Sequence, residues 1–442
     1  MLVMKFGGSS LADARQIHKA LEIVRGRGAR GPVVVCSAHK GMTDLLIGAA
    51  RRAAAGEGAD ARPIVERQRG VLAGLGGDPA MLDGFFAEIA DLLRGISLVR
   101  EASPRVMDLV QSFGERMSVR AIADYFTRQG LPARAHDAYD LGFVTDDRFG
   151  AARPLPGFEK AMAERFAAAA PGGEVAVVTG FVGKTAAGEI TTVGRNGSDF
   201  TATCVAAALG AEECEIWTDT DGVMTADPSV VTDARTIPAM SFAEASELAY
   251  YGGRVLHPST LLPAVERNIP VRVLNTNRPD HPGTVITEAG AADAPPITSI
   301  AYKEDQTVLT IESPRMLGQP GFLARVFDVL GRSSIDVDMI STSEVSVSMT
   351  CRDRGGLRAA LADLERQGQV TVETDKTIVC VVGKNLRRQR GIAARVFRAL
   401  DEAKVNVEMI SQGANQINLS FLIDDADIAP AVRSLHQALF GA

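Results

Sequence analysis

Residues Gly321 to Ser341 recur, altered but recognisable, seventy positions further on, and a chain that repeats itself over that length builds one supersecondary unit twice. Gly321-Phe-Leu-Ala-Arg-Val-Phe-Asp-Val-Leu and Ile335-Asp-Val-Asp-Met-Ile-Ser align with Gly391-Ile-Ala-Ala-Arg-Val-Phe-Arg-Ala-Leu and Val405-Asn-Val-Glu-Met-Ile-Ser, and nearly half of all positions between Gly321 and Ser341 are identical to their counterparts. Each copy alternates extended and helical patterns in the order of a ferredoxin-like βαββαβ unit. In the first copy, strands are expected near Thr307 to Ile311, Asp336 to Thr342, Val345 to Cys351 and Val370 to Thr374, with helices opening at Gly321 and Gly355. The second copy starts at Thr377 and runs out after its last helix, at Phe440, with no closing strand. A spare extended run, Thr298 to Lys303, stands just before the first copy and suits that gap. The expected domains are therefore 306–375 for the first copy and 297–305 with 376–442 for the second.

Upstream the pattern changes. Short apolar runs (Leu2 to Phe6, Pro32 to Ser37, Val175 to Thr179, Glu215 to Thr218, Val271 to Asn275) alternate with Ala- and Leu-rich helical stretches (Asp13 to Arg27, Thr43 to Ala55, Ala80 to Leu98, Phe200 to Leu209). Strands apolar throughout, separated by helices, predict a mainly parallel sheet covered on both faces, a three-layer α/β/α domain over 1–290. The small-residue and proline stretch Glu288 to Pro296 reads as the linker to the repeats.

Two glycine-rich turns within this α/β region follow an apolar strand and open a helical segment. They are Lys5-Phe6-Gly7-Gly8-Ser9-Ser10 and Gly194-Arg195-Asn196-Gly197-Ser198-Asp199. Such turns present unpaired backbone N–H groups to an anion, and Lys5, Arg195 and Asp199 are the residue types that neutralise phosphate, clamp a carboxylate and hold an ammonium. A tight turn needs glycine too, so neither turn alone specifies a ligand. No GxxxxGK[ST] and no GxGxxG occurs, which excludes the P-loop and dinucleotide folds as the source of any phosphate site.

Composition narrows the partners. A net charge of −7 and a pI near 5.6 argue against nucleic acid, and the short Arg387-Arg388-Gln389-Arg390 run reads as a solvated loop. No apolar stretch reaches the length of a membrane span and the start MLVMKFGG reads as a buried strand, so a cytoplasmic protein is expected. The cysteines Cys36, Cys204, Cys214, Cys351 and Cys380 lack CxxC spacing and the histidines form no i, i+4 pair, so reduced core thiols and no metal-ligand cluster are expected.

Six segments in order carry a resemblance that spans the chain: KFGGSS, SFGER (Ser112 to Arg116), VTGFVG (Val178 to Gly183), TTVGRNGSD (Thr191 to Asp199), WTDTDGVMTADP (Trp217 to Pro228) and RVLHPST (Arg254 to Thr260). This set resembles the aspartate kinases, and the C-terminal repeat is similar to their paired ACT domains. The resemblance implies MgATP-dependent phosphorylation of the β-carboxylate of L-aspartate, at the entrance to the lysine, threonine and methionine pathway. The chemistry agrees independently. A carboxylate is ionised at neutral pH and needs no general base, so a Ser/His/Asp constellation is not required; positioning of two anions and neutralisation of the transferring phosphoryl group are.

Carried onto this sequence, the resemblance implies that Lys5 reaches the phosphoryl oxygens, Asp199 orients that ammonium, and Phe6, Gly7 and Gly8 form the phosphate turn. Arg195 would clamp the α-carboxylate of aspartate, Glu115 would accept from its α-ammonium, and Ser37, Thr43 and Ser198 would complete the pocket. Thr218, Asp219, Gly222, Met224, Asp227, Ser229, Arg254 and Val255 would face the nucleotide. Met224 stands where the family commonly has an aromatic, Ser229 where arginine is usual, and Arg254 in place of a lysine. Met316, Gly321, Phe322, Leu323, Val337, Asp338, Ser343 and Glu344 resemble the effector segment of lysine-sensitive members, and the ACT pair implies a homodimer or dimer of dimers. Two other readings stay open: a relative with another acceptor such as glutamate or acetylglutamate, and an ACT-bearing amino-acid sensor with a weakened nucleotide site.

Overall fold

In the computed structural model the described residues are 1–441 apart from 171, 253–257, 292–294, 353–354, 385, 387–388 and 414–416. The chain divides into two compact units: Met1–Val223 with Pro238–Phe242 and Val255–Gly290, and Met224–Ile237 with Ala243–Arg254 and Ala291–Ala442. Among the described residues no helix is long and apolar enough to cross a membrane, and all five cysteines are free and buried.

The first unit is built on an eight-stranded sheet in the order Ala133–His136, Val175–Thr179, Pro32–Cys36, Leu2–Phe6, Glu213–Thr218, Val271–Asn275, Thr284–Thr287, Ala239–Ser241. From Ala133–His136 through Val271–Asn275 every pairing is parallel, and Thr284–Thr287 then runs antiparallel to its neighbour. The runs LVMKF, PVVVC and VAVVT are buried at every position, which is why their sequences do not alternate. Helices cover the sheet: Ala14–Gly26, capped by Asp13 accepting from the Gln16 amide at 3.0 Å, Met42–Ala55, Pro104–Arg128 and Gly197–Leu209. Gly197–Leu209 is buried almost throughout, as a helix of small and apolar residues against a sheet can be. A small sheet of Val144–Thr145, Val182–Thr185 and Ile190–Thr192 stands apart from the large one. The carboxyl ends of Leu2–Phe6 and Pro32–Cys36, at the centre of the sheet, lead into the loops that form the site.

The second unit carries both repeats on one six-stranded sheet, ordered Val337–Thr342, Ser346–Cys351, Ser299–Glu312, Gln369–Val382, Asn418–Asp424, Met409–Ser411. Two 14-residue strands run through both halves. Thr307 to Glu312 pairs with Ser346–Cys351 on one side and Val308 to Glu312 with Gln369 to Glu373 on the other, and Val337–Thr342 pairs with Ser346–Cys351 to complete the four strands of the first copy. Ser299 to Lys303 pairs antiparallel with Ile378 to Val382, supplying the fourth strand absent from the end of the second copy. The halves meet at a bulge where Asp305 and Asp375 both take positive φ, 58° and 61°. Helices Phe322–Arg332 and Ile392–Glu402 start after Gly321 and Gly391, each at φ +84°, so duplication extends to the turn glycine that only an unbranched backbone tolerates.

Candidate active site

The two glycine-rich turns converge on one open cleft of about 870 Å³ in the first unit. Its lining includes Lys5 and Gly8 from the first turn, and Arg195, Ser198 and Asp199 from the second. Ser37 comes from the loop after Pro32–Cys36, Thr43 from the first turn of Met42–Ala55, Glu115 from Pro104–Arg128, and Asp219 directly follows Glu213–Thr218.

Lys5 is the last-but-one residue of its strand and its ammonium lies 2.5 Å from Asp199 Oδ1, with side chains 11% and 7% exposed. Asp199 sits in the first turn of Gly197–Leu209, where the helix dipole favours its negative charge. The pair thus presents a cation in a fixed place at the mouth of a helix N-terminus, and the first residues of that helix line the same cleft. Asn196 stands at the N-cap position in the left-handed conformation at φ 54°, without a side-chain capping bond. Gly197 has no alternative, because a Cβ there would lie 2.5 Å from the Phe181 ring. Behind it, Gly180 lets Ser198 approach so closely that a Cβ would fall 2.6 Å from its hydroxyl.

The first turn is equally confined. The Gly7 amide donates to the Trp217 carbonyl at 3.2 Å and so is already paired, whereas Gly8 lines the cleft, and a Cβ there would press on the Ala38 carbonyl at 3.0 Å. Phe6 is fully buried and stacks on Trp217 at 6.0 Å, serving the core below the site with its side chain.

Glu115 is the buried acid of the cleft. Its Oε1 accepts from the Ala38 amide at 3.0 Å, while Oε2 is buried with no partner among the described residues. Burial pushes the carboxyl up from an ordinary 4.5 to about 8, against the lowering effect of its backbone hydrogen bonds. A buried carboxylate oxygen with an open lone pair fits a cationic donor. Arg195 is exposed along the same cleft, as is Lys40, so the cleft holds both an acid that suits an ammonium and cations that suit anions.

Sequence reasoning missed several groups that shape this site. His39 is 1% exposed, with Nδ1 2.8 Å from the Leu11 carbonyl. Burial lowers its pKa to about 4, so the ring is neutral and Nδ1–H is the donor, tying the acceptor loop to the first glycine turn. Arg67 doubles that tie by donating to the carbonyls of Ala12 and Lys40. Asp108 accepts from the amides of Gly150 and Thr192 and from the Thr192 hydroxyl, each at 2.8 Å, fixing two stretches of the cleft wall, and burial pushes its carboxyl up. The polar His39-Lys40-Gly41 run directly after a buried strand was the available signal; Asp108 had none.

The expected nucleotide residues are divided. Thr218, Asp219 and Gly222 belong to the first unit, where Gly222 at φ +108° packs so tightly on Thr284 that a Cβ would lie 2.5 Å from its hydroxyl. Met224, Asp227 and Ser229 belong to the second, where Asp227 accepts from the Ser229 amide and hydroxyl and from Tyr302. Arg254 and Val255 lie outside the described residues. In the expected effector segment, Gly321 opens a helix, Phe322 is buried, Met316, Leu323 and Val337 are half-buried, Ser343 bonds Ser346, Glu344 is exposed, and Asp338 is ion-paired within the chain.

The first unit is a mainly parallel α/β layer domain whose cleft holds a cation, a helix N-terminus and a buried carboxyl, an arrangement that suits a kinase acting on small molecules, and the second is a duplicated βαββαβ unit. The amino acid kinase family model matches residues 1–275, and an ACT domain model matches 309–364 and 379–439. Chloroplastic aspartokinase 1 of Arabidopsis thaliana is 38% identical over 99% of this chain and 80% of its own length. Escherichia coli aspartokinase III, solved with aspartate and ADP in the R-state, superposes with a TM-score of 0.86 at 34% identity over all of both chains. The same enzyme with lysine and aspartate in the T-state gives 0.78 at 34% over 100% and 99%. The chain belongs to the aspartate kinase family.

Proposed function

We propose that this chain transfers the γ-phosphoryl group of ATP to the β-carboxylate of L-aspartate, giving 4-phospho-L-aspartate and ADP, and that lysine restrains it through the first ACT repeat. The observation that carries the reading is Glu115: a buried acid with one unpartnered oxygen, in the same cleft as the Lys5–Asp199 pair. An acceptor with an α-ammonium satisfies it, and Arg195 in the cleft supplies a partner for the α-carboxylate. The β-carboxylate, already ionised, attacks phosphorus; the new C–O–P bond forms as the bond to the bridging oxygen of ADP breaks. Lys5 stabilises charge on the transferring group, Asp199 holds its ammonium, and the first turn of Gly197–Leu209 faces the phosphates.

Magnesium would arrive with the nucleotide: Asp219, which lines the cleft, would hold it as a carboxylate ligand, and the ion would supply charge neutralisation. Pairing of chains through the ACT repeats is supported by Ile340 and Ile410, equivalent positions of the duplication that are 39% and 53% exposed on the outer strands.

A hydroxylamine trap for the acyl phosphate, run with aspartate, glutamate and acetylglutamate, tests the acceptor, and adding lysine or threonine tests control. Hydroxamate from glutamate or acetylglutamate but not aspartate refutes the reading.

A further inference from the structure

The acid central to the first repeat's effector segment already has a cationic occupant. Lys303 Nζ lies 2.6 Å from both carboxylate oxygens of Asp338. The Tyr250 hydroxyl donates to the same carboxylate, and its ring centroid is 4.6 Å from the Lys303 ammonium. The Asp338 side chain is 5% exposed and that of Lys303 20%. A primary ammonium of the protein itself thus neutralises an acid that the family resemblance assigns to an effector.

These three groups come from separate segments of the second unit: the helix Phe242–Tyr250, the strand Ser299–Glu312 and the strand Val337–Thr342. Tyr250 is the last of three anchors spaced three residues apart on one face of the helix. Glu244 accepts from the Thr298 hydroxyl and Glu247 from the Asn418 amide at 2.6 Å. Just past the helix, Gly252 at φ +97° packs so tightly on the Tyr302 carbonyl that a Cβ would come within 2.2 Å, seating the helix end beside Lys303. The chain enters this helix directly from Ala239–Ser241, a strand of the first unit's sheet.

The second repeat has a counterpart that differs in a decisive respect. Glu408 occupies the position of Asp338 in the duplicated segment, and its partner Lys376 also pairs with Asp424 at 2.8 Å and Glu373 at 3.5 Å while only 8% exposed. A buried ammonium shared among three carboxylates is hard to remove, because each loses its compensation when it leaves. Lys303 has one carboxylate and a ring, and more access to water.

We infer that Lys303 is a built-in competitor for the effector: a small cationic amino acid binds the first repeat by displacing Lys303 from Asp338, and the second repeat, held by Lys376, takes no such ligand. The incoming ammonium also takes the Asp338 oxygen that accepts from the Tyr250 hydroxyl, so ligand binding, unlike loss of Lys303 alone, releases the end of Phe242–Tyr250. The inference rests on the proposed control by lysine and supplies its trigger. Affinity is lowered by the fraction of molecules in which Lys303 has left.

Lys303→Met should therefore bind L-lysine about tenfold more tightly in calorimetry, with uninhibited kcat unchanged. The unaltered protein gives a second readout. Treated with an amine-acylating reagent and mapped by mass spectrometry, Lys303 should be protected without lysine and modified with it, equimolar glycine serving as the control for reagent consumption. If lysine binds but Lys303 stays protected, or Lys303→Met binds no more tightly, displacement is wrong and control by lysine stands. Absence of lysine binding to both proteins overturns both. A second lysine bound by the unaltered protein at the Glu408 repeat overturns the assignment to the first repeat alone.

Discussion

Replacing Glu115 with glutamine keeps the side-chain shape and the acceptor for the Ala38 amide but removes the charge, and the structure sets the size of the effect. A buried, charge-assisted contact between carboxylate and ammonium is worth about 3 kcal/mol. In the empty cleft this acid has a pKa of about 8, so at pH 7 ionising it to receive the ammonium costs about 1.4 kcal/mol. The remainder, about 1.6 kcal/mol, corresponds to a rise in aspartate KM of roughly fifteenfold for Glu115→Gln at pH 7; at pH 9, where no ionisation cost applies, the rise approaches roughly 150-fold. For the unaltered enzyme, aspartate KM should fall roughly tenfold per pH unit up to about pH 8 and then level off, and the variant should lose that slope. Steady-state assays from pH 6 to 9 measure both, and calorimetry in buffers of different ionisation enthalpy should detect proton release on aspartate binding. Stability follows the same linkage. A carboxyl whose folded pKa is raised contributes stability that is complete below its ordinary 4.5 and lost as pH climbs through about 8, so aspartate should raise the melting temperature more at pH 8.5 than at pH 6. An aspartate KM independent of pH, or a glutamine variant with the same slope, refutes the reasoning.

Lys5→Ala should lower kcat on the order of 100-fold or more while changing aspartate KM little, because its ammonium acts on charge that develops in the transition state; a kcat within a few-fold of normal removes Lys5 from the phosphoryl group. Arg195→Ala should instead appear mainly as a raised aspartate KM, since a clamp on the non-reacting carboxylate binds ground and transition states alike. Gly180→Ala, whose Cβ would lie 2.6 Å from the Ser198 hydroxyl and Cβ, should cut kcat/KM at least about tenfold by moving the start of Gly197–Leu209, with circular dichroism unchanged; full activity would show that this contact is not confining.

Local pattern and chain duplication by themselves determined the α/β layer region, its buried parallel strands and the two βαββαβ repeats, because burial on both faces writes continuous apolar runs and a copied unit keeps its own periodicity. That the turn residues Lys5, Gly8, Arg195, Ser198 and Asp199 would share one cleft was legible in part, because glycine and charge stand at fixed local spacing in both turns. Short edge strands were not. Ala133–His136, half-exposed and polar, and the three-residue Ala239–Ser241 have too little apolar pattern to register. Only the tertiary structure brought Glu115 to Ala38 across 77 residues, joined Asp108 to Thr192 across 84, and ran single strands through Asp305 and Asp375 so that the spare segment could close the second repeat. Nor could sequence show Lys303 lodged against Asp338, 35 positions away. Partnership between charges depends on which strands lie side by side, and that is settled by packing the whole sheet rather than by any local preference of the residues that meet there.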